Sequence, residues 1–244
     1  MLINLPKFKE VLKKATCSYV IDSVLLNVTP KKITTSMKSN TKDVFVILDM
    51  DNEVFSEAKE EFMLSFAEPK TNVEPFLNSL DVDEATIKLK ENMIIVDGKV
   101  KLTFEDPSVV STFEGKGVQD SVDFFTEFDI TDEIMDDLEK IKKIGSRFGK
   151  VYFVVEEGKL YVEATDRTNS FSNSLKFFIS DVKMDDVVIC FNYKNYVSLM
   201  NVLNGHYAEY KIKLCWFEQQ ELGGLYCEKV DEQEKYFLTS MKDD

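Results

Sequence analysis

Two kinds of charged constellation in this 244-residue chain could do chemistry. The first is acidic: Asp49, Asp51 and Glu53, then Asp181, Asp185 and Asp186. Grouped carboxylates are the ligands that a Mg²⁺-dependent nuclease uses. Both groups fall at expected strand ends and loops, though, and a chain with 44 Asp and Glu residues brings some together through composition alone. The second constellation is cationic. Lys7, Lys9, Lys13 and Lys14 lie within Leu5–Ala15, and Lys140, Lys143 and Arg147 within Asp132–Arg147. Cations repeated along a helix suit phosphates, and no Arg, Asn or Gln set is aimed at base edges, so such contacts would be indifferent to sequence. G-x-S-x-G, P-loop and dinucleotide fingerprints are missing, and Gly223-Gly224 reads as a turn. With one histidine, His206, placed to cap a helix end, and four cysteines forming no C-x-x-C pair, a zinc site is not expected.

Helices must position these cations. In Leu5–Ala15, residues Leu5, Phe8, Leu12 and Ala15 share one face with Val11 at its margin, while Lys13 and Lys14 lie opposite and Lys7 and Lys9 flank them. In the segment opening at Asp132, Ile134, Leu138, Ile141 and Phe148 form the apolar face. Lys140, Lys143 and Arg147 take the other, beside Asp136 and Glu139, and Thr131 or Asp132 is the N-cap. Each helix is followed by short alternating strands, a second helix (Thr71–Leu80, then Tyr193–Leu203) and three more strands. Asp97-Gly98 and Glu157-Gly158 mark hairpins. The order is therefore written twice, in an α+β chain. The boundaries are a first domain at 1–106, a connector at 107–121 rich in small and polar residues, and a second domain at 122–244.

The composition, 44% hydrophobic and 30% charged, is that of a globular chain, and its longest apolar runs, such as Val44–Leu48, are strand-sized. No apolar signal region opens the chain, so a cytoplasmic protein with buried reduced thiols is expected. The formal charge of -14 argues against nucleic acid until the placement of the cations is considered. Screening confines a field to about 8 Å, so local clusters outweigh the sum.

Several strings resemble the sliding DNA clamps, in particular the two-domain clamp of T-even-like phages. They are the helix within Asp129–Arg147, the hairpin Val151-Tyr152-Phe153-Val154-Val155-Glu156-Glu157-Gly158-Lys159-Leu160, the strands Tyr210–Leu214 and Tyr236–Thr239, and the connector start Glu105-Asp106-Pro107-Ser108-Val109-Val110. The resemblance spans nearly the whole chain and is clearer after Glu105. It implies a DNA-clamp fold closed into a ring as a homotrimer, in the host cytoplasm if the protein is viral. It turns Lys7, Lys9, Lys13, Lys14, Lys70, Lys140, Lys143, Arg147 and Lys194 toward double-stranded DNA, with an acidic surface outside. It also implies a docking pocket for DNA polymerase peptides lined by Val109, Val110, Phe113, Leu238 and Met241. The subunit interface it implies pairs the strand of Val100, Leu102 and Phe104 with that of Leu175 and Phe177. A clamp-loader ATPase would open the ring, and neither cofactor nor metal is needed. The rival expectations are an acidic scaffold that does not encircle DNA, and a metal-dependent nuclease built on the carboxylates above.

Overall fold

In the first half of the chain a three-residue strand, β1 (Leu2–Asn4), runs straight into α1 (Leu5–Ala15). The Asn4 side chain accepts a hydrogen bond from Lys7 N at 3.0 Å, capping the helix start, and a proline is tolerated there because its missing N–H had no partner to lose. The protein is described here by a computed structural model, covering residues 1–113, 122–169, 171–229 and 233–242; most of the connector's second half, 114–121, lies outside these. The chain divides into two compact units, Met1–Gly115 with Glu232–Glu234, and Lys116–Asp231 with Lys235–Asp244.

Unit 1 continues with β2 (Ser23–Val28), β3 (Lys32–Lys38), β4 (Val44–Asp51), the two-residue β5 (Phe55–Ser56) and β6 (Phe62–Ala67). Two short helices follow, α2 (Pro69–Asn72) and α3 (Glu74–Asn78), then β7 (Glu84–Lys90), β8 (Met93–Val96) and β9 (Val100–Thr103). The sequence suggests one helix over Thr71–Leu80. Instead the turn breaks at Val73, whose φ of -122° is not helical, and Pro75 starts a new helix in its first turn, where it removes no needed donor. The strands form two antiparallel sheets, β5-β1-β7-β8-β9 and β4-β3-β2-β6. In the three-residue turn between β8 and β9, Asp97 and Gly98 have φ of +50° and +67°, both left-handed, and Lys99 N donates to Val96 O at 3.0 Å.

Unit 2 comprises β10 (Phe124–Asp129), α4 (Asp132–Gly145), β11 (Lys150–Glu156), β12 (Lys159–Ala164), β13 (Leu175–Asp181), β14 (Val187–Asn192), α5 (Tyr193–Leu203), β15 (Tyr210–Phe217), β16 (Leu222–Lys229) and β17 (Gln233–Thr239), of which Gln233 and Glu234 belong to unit 1. Its sheets are β13-β12-β11-β14 and β10-β15-β16-β17, again antiparallel. Gly223 and Gly224 do not form a turn but lie within β16. A Cβ on Gly223 would sit 2.4 Å from the Ile189 side chain, and one on Gly224 2.5 Å from the Phe237 ring.

The repeat is finer than the sequence suggests. Among the described residues a strand, a helical segment and a three-stranded meander recur four times, beginning at β1, β6, β10 and β14. In each case the leading strand joins the other meander of its unit: β1 lies on β7, β6 on β2, β10 on β15 and β14 on β11. This exchange fastens the two halves of each unit. The helices close the cores. In α1, Leu5, Phe8, Val11, Leu12 and Ala15 are buried, and Phe8 meets Phe55 edge-on at 5.6 Å and Phe66 at 6.3 Å. Each of the larger of these side chains contributes about 1.5–3 kcal/mol through burial. In α4 the buried face is Met135, Leu138 and Ile141; Met135 takes the place expected for Ile134. The Thr131 hydroxyl, not Asp132, caps it by accepting from Ile134 N at 3.3 Å. All four cysteines are free and buried, and burial pushes the Cys17 thiol up to about 12 and Cys215 to about 11. Among the described residues no helix is long and apolar enough to cross a membrane.

Candidate nucleic-acid interface

The amphipathic faces that bury the apolar rows turn most of the lysines of α1 and α4 outward. What each cation then meets decides what it can do. In unit 1, Lys7 is exposed but its Nζ lies 2.6 Å from Glu53, and Lys9 donates to Asn78 Oδ1 at 2.9 Å, tying α1 to the end of α3. Lys13 is half-buried, and no partner is found for it among the described residues. Lys14 departs from the expectation. It is 8% exposed, with its ammonium 3.1 Å from Glu234 and 3.3 Å from Glu10, and Glu234 is itself fully buried. It is a structural ion-pair residue, since a group so enclosed cannot reach a phosphate. Lys70 is exposed at the start of α2, 6.0 Å from the centroid of the Tyr19 ring. The Tyr19 hydroxyl is held well above its ordinary range by burial and by Glu74, so Lys70 stands in a locally acidic setting.

In unit 2 the charge along α4 is segregated. Asp132, Glu133, Asp136, Asp137 and Glu139 fill the first half, where the helix dipole favours them, and Lys140, Lys142 and Lys143 the second. Lys142 pairs with Glu139 at 2.8 Å, and Lys140 with Asp137 at 2.7 Å while lying 5.1 Å from the Phe177 ring centroid. The hydrogen bond to Asp137 holds the Lys140 ammonium above its ordinary pKa. Lys143 and Arg147 are exposed. The start of α5 is folded against this end of α4. Tyr193 N donates to Gly149 O at 3.0 Å, and the Tyr193 hydroxyl to Lys142 O at 2.8 Å. Gly145 permits the approach, since a Cβ there would sit 3.0 Å from the Tyr193 ring. Exposed Lys194 follows, its backbone N–H capped by Asn192. Lys143, Arg147 and Lys194 therefore gather at one helix junction, a grouping that the lysine pattern alone did not reveal because Gly145 and Tyr193 create it.

The carboxylates do not converge. Asp49 and Asp51 pair with Lys32, Asp186 accepts from Glu157 N at 2.8 Å, and among the described residues no cluster of three or more His, Cys, Asp or Glu side chains could hold a metal. His206 is exposed, and its backbone N–H bonds Leu203 O at 2.9 Å.

The proposed peptide-pocket residues divide between the units. In unit 1, Val109 is 65% exposed, whereas Val110 is 6% exposed and packs inward. Phe113 stacks edge-on with Phe45 at 5.4 Å, and Thr112 bridges to Met37, so the connector's start is fixed along β3 where β2 leaves it. In unit 2, Leu238 is fully buried in its sheet and Met241, partly exposed, donates its N–H to Cys190 O at 2.8 Å. Val110 and Leu238 thus serve their own cores and present no surface for a peptide. For the interface residues, β9 and β13 are each the last strand of a sheet. Val100 and Leu102 are already buried in unit 1, and Phe104 meets Phe66 at 5.7 Å. Leu175 and Phe177 are only half-buried, and Phe178 on the opposite face is exposed.

This architecture, with strand-exchanged sheets and helices carrying cations, defines the fold as that of the sliding DNA clamps. The chain is similar to the proliferating cell nuclear antigen (PCNA) of Thermococcus kodakaraensis, with 13% identity and a TM-score of 0.66 over 99% of each chain. It is also similar to PCNA of A. fulgidus, in a structure with the C-terminal region of FEN-1 bound, with 12% identity and a TM-score of 0.63 over 100% of this chain and 98% of that one. A third structure, the DNA polymerase III beta chain of Streptococcus pneumoniae, shares 13% identity and a TM-score of 0.64 over 100% of this chain but 64% of its own. No protein-family model matches this chain, and no curated protein matches it by sequence.

Proposed function

We propose that this protein is a sliding clamp. Three copies close head to tail into a ring around double-stranded DNA, and the ring holds a DNA polymerase near its primer by keeping its effective concentration high. A clamp-loader ATPase opens the ring; the clamp itself carries out no reaction and needs no cofactor. Residues 1–106 and 122–244 act as the two domains and 107–121 as the connector between them. The observation that carries this reading is the recurrence of strand, helix and meander, with exposed cations gathered at the α4–α5 junction, in a chain whose net charge is -14. An acidic exterior repels DNA, while local cations on the helices hold the backbone loosely enough for movement.

Lys7, Lys9, Lys13, Lys70, Lys140, Lys143, Arg147 and Lys194 face the DNA, with Lys143, Arg147 and Lys194 contributing most because they are exposed together and, among the described residues, no carboxylate pairs with them. Short partner peptides, such as the FEN-1 region bound to the A. fulgidus protein, contact the exposed Val109 of the connector and, separately, Met241. The edges β9 and β13 pair between copies, which also protects them from aggregation.

Light scattering over a dilution series tests the ring. The expected mass is three times 28.1 kDa. Such assemblies, concentrated with nicked circular plasmid and then diluted, are expected to stay on the circle and to leave once it is cut. A monomer at every concentration, or equal retention on cut and uncut DNA, overturns the reading.

A further inference from the structure

Two apolar features remain outside the account above, one in each unit. In unit 2, Phe171 stands 94% exposed in the loop before β13, held up by a turn in which its N–H donates to Asn169 Oδ1 at 3.0 Å. In unit 1, just past the end of β9, a groove of about 560 Å³ has Phe62, Met63, Leu89, Phe104 and Pro107 as its apolar lining and a polar rim that includes Lys90, Glu91 and Glu105, with Met63 55% exposed. Phe171 borders a hollow of its own unit with Ile144, Phe148 and Leu175 but is left almost wholly in water, which is costly, and an open groove with aromatic and aliphatic side chains on its floor can seat it. We propose that Phe171 of one copy inserts into this groove of the next, as the knob that locks each joint of the ring. The inference rests on the head-to-tail assembly and adds the residues that determine its strength.

Register and charge bring the two features together. On β9 the inward-facing row is Val100, Leu102 and, beyond the strand, Phe104; on β13 it is Leu175 and Phe177, which pair with the buried side of β12 through Ala164 and Val162. A slip of one residue would turn one row outward, so the two inward rows must face each other; of the registers this leaves, the one that pairs Leu102 with Phe177 and Phe104 with Leu175 overlaps the two apolar rows most fully. The charges select the antiparallel direction. β9 is entered through Lys99 and Lys101 and left through Glu105 and Asp106, whereas β13 carries Lys176 near its start and Asp181 at its end. Antiparallel pairing sets the lysines of β9 toward Asp181 and Glu105 and Asp106 toward Lys176; the parallel arrangement would oppose like charges. In that register the chain continues four residues from Leu175 to Phe171, at most roughly 13 Å. That takes it past Phe104 and along the segment to Pro107, which forms the rim of the groove.

The joint is heterologous, with knob and groove on different surfaces, and this gives a test that separates it from the ring reading itself. Phe171→Glu and Met63→Glu each change an exposed side chain, so circular dichroism and thermal midpoint are expected to match the parent. Each variant alone is expected to lose the trimer, with a dissociation constant raised at least about thirtyfold. Mixed one to one, they retain one intact knob and one intact groove between them, and sedimentation is expected to find a heterodimer of twice 28.1 kDa. If the parent is a trimer and Phe171→Glu remains one, or if the mixture forms no heterodimer, the knob assignment is overturned and the ring stands. If the parent is a monomer throughout, both fall.

Discussion

The lysine-rich helix of unit 1 and the lysine-poorer helix of unit 2 present their charge in opposite ways. α1 carries four lysines against one glutamate, yet Lys7 is paired with Glu53, Lys9 is anchored on Asn78 and Lys14 is enclosed with Glu234. α4 carries five carboxylates against three lysines, yet it keeps the carboxylates in its first half, and with Lys194 of α5 and Arg147 beyond its end it leaves three cations exposed together. Composition along a helix therefore does not rank its affinity for phosphate. What ranks it is whether each cation has a carboxylate within reach and whether its head is in water, because a cation already paired gains little by exchanging one anion for another.

The comparison breaks most sharply at Lys14. Substituting Lys14→Ala leaves the fully buried Glu234 without this ammonium, and the expected loss is about 3 kcal/mol of unfolding free energy. Lys143→Ala is expected to change stability by less than about 0.5 kcal/mol. Urea unfolding of the two variants measures both; equal losses would mean that Lys14 is an ordinary surface lysine and that the two helices do not differ. The DNA contrast should run the other way. Replacing Lys143, Arg147 and Lys194 together with glutamine removes up to three phosphate contacts, lowering the slope of log affinity against log salt by about 2.7. The triple variant of Lys7, Lys9 and Lys13 is expected to lose less, about 1.8 or below, because Lys7 is offset by Glu53. Fluorescence titrations on linear duplex across a salt series decide it, and a larger loss from the α1 set would reverse the ranking.

The sequence carries the helices and most strands legibly because their apolar periodicities are set by burial on one face. Phe8 and Leu12, or Leu138 and Ile141, are found where the spacing puts them. It hides what depends on tertiary exchange. β1 is only three residues, too short for any period to emerge, and β10 alternates Phe124, Thr126 and Phe128 weakly, yet these strands join the halves of each unit. For the same reason the fourfold repeat reads as twofold from the sequence. Among candidate site residues, Lys143 and Arg147 stay exposed because their own helix determines it, whereas the fate of Lys14 depends on Glu234, 220 residues away. Val110 and Leu238 look like the other apolar residues of their segments, and only packing separates them from the exposed Val109 and Met241.

Those two exchanged strands supply the mildest and most local contrast. β1 is held by buried Ile3 and by backbone bonds such as Asn4 N to Val54 O at 2.8 Å, none of which titrates. β10 is held in part by Glu127, whose carboxylate lies 2.9 Å from Lys211 and 3.3 Å from Lys213. The hydrogen bond from Lys211 is the main cause that holds Glu127 below the ordinary carboxylate pKa, and the same contact holds Lys211 above the ordinary lysine value. The signs follow from linkage. A carboxylate whose folded pKa is depressed contributes stability above its unfolded pKa and loses it as pH falls through the folded value; a lysine whose folded pKa is raised contributes below its unfolded pKa and loses it as pH rises through the folded one. The clip on β10 is therefore strongest between the two ranges and weakens on acidification, while β1 does not respond. Amide exchange, expressed as opening free energy, should show protection at Phe128 falling between neutral pH and the acidic side of the carboxylate range, with Ile3 unchanged relative to the rest of unit 1. Glu127→Gln should flatten the Phe128 response. The effect is small because Glu127 is partly solvated, and a pH response of equal size in the Gln variant would assign the weakening to some other carboxylate than this one.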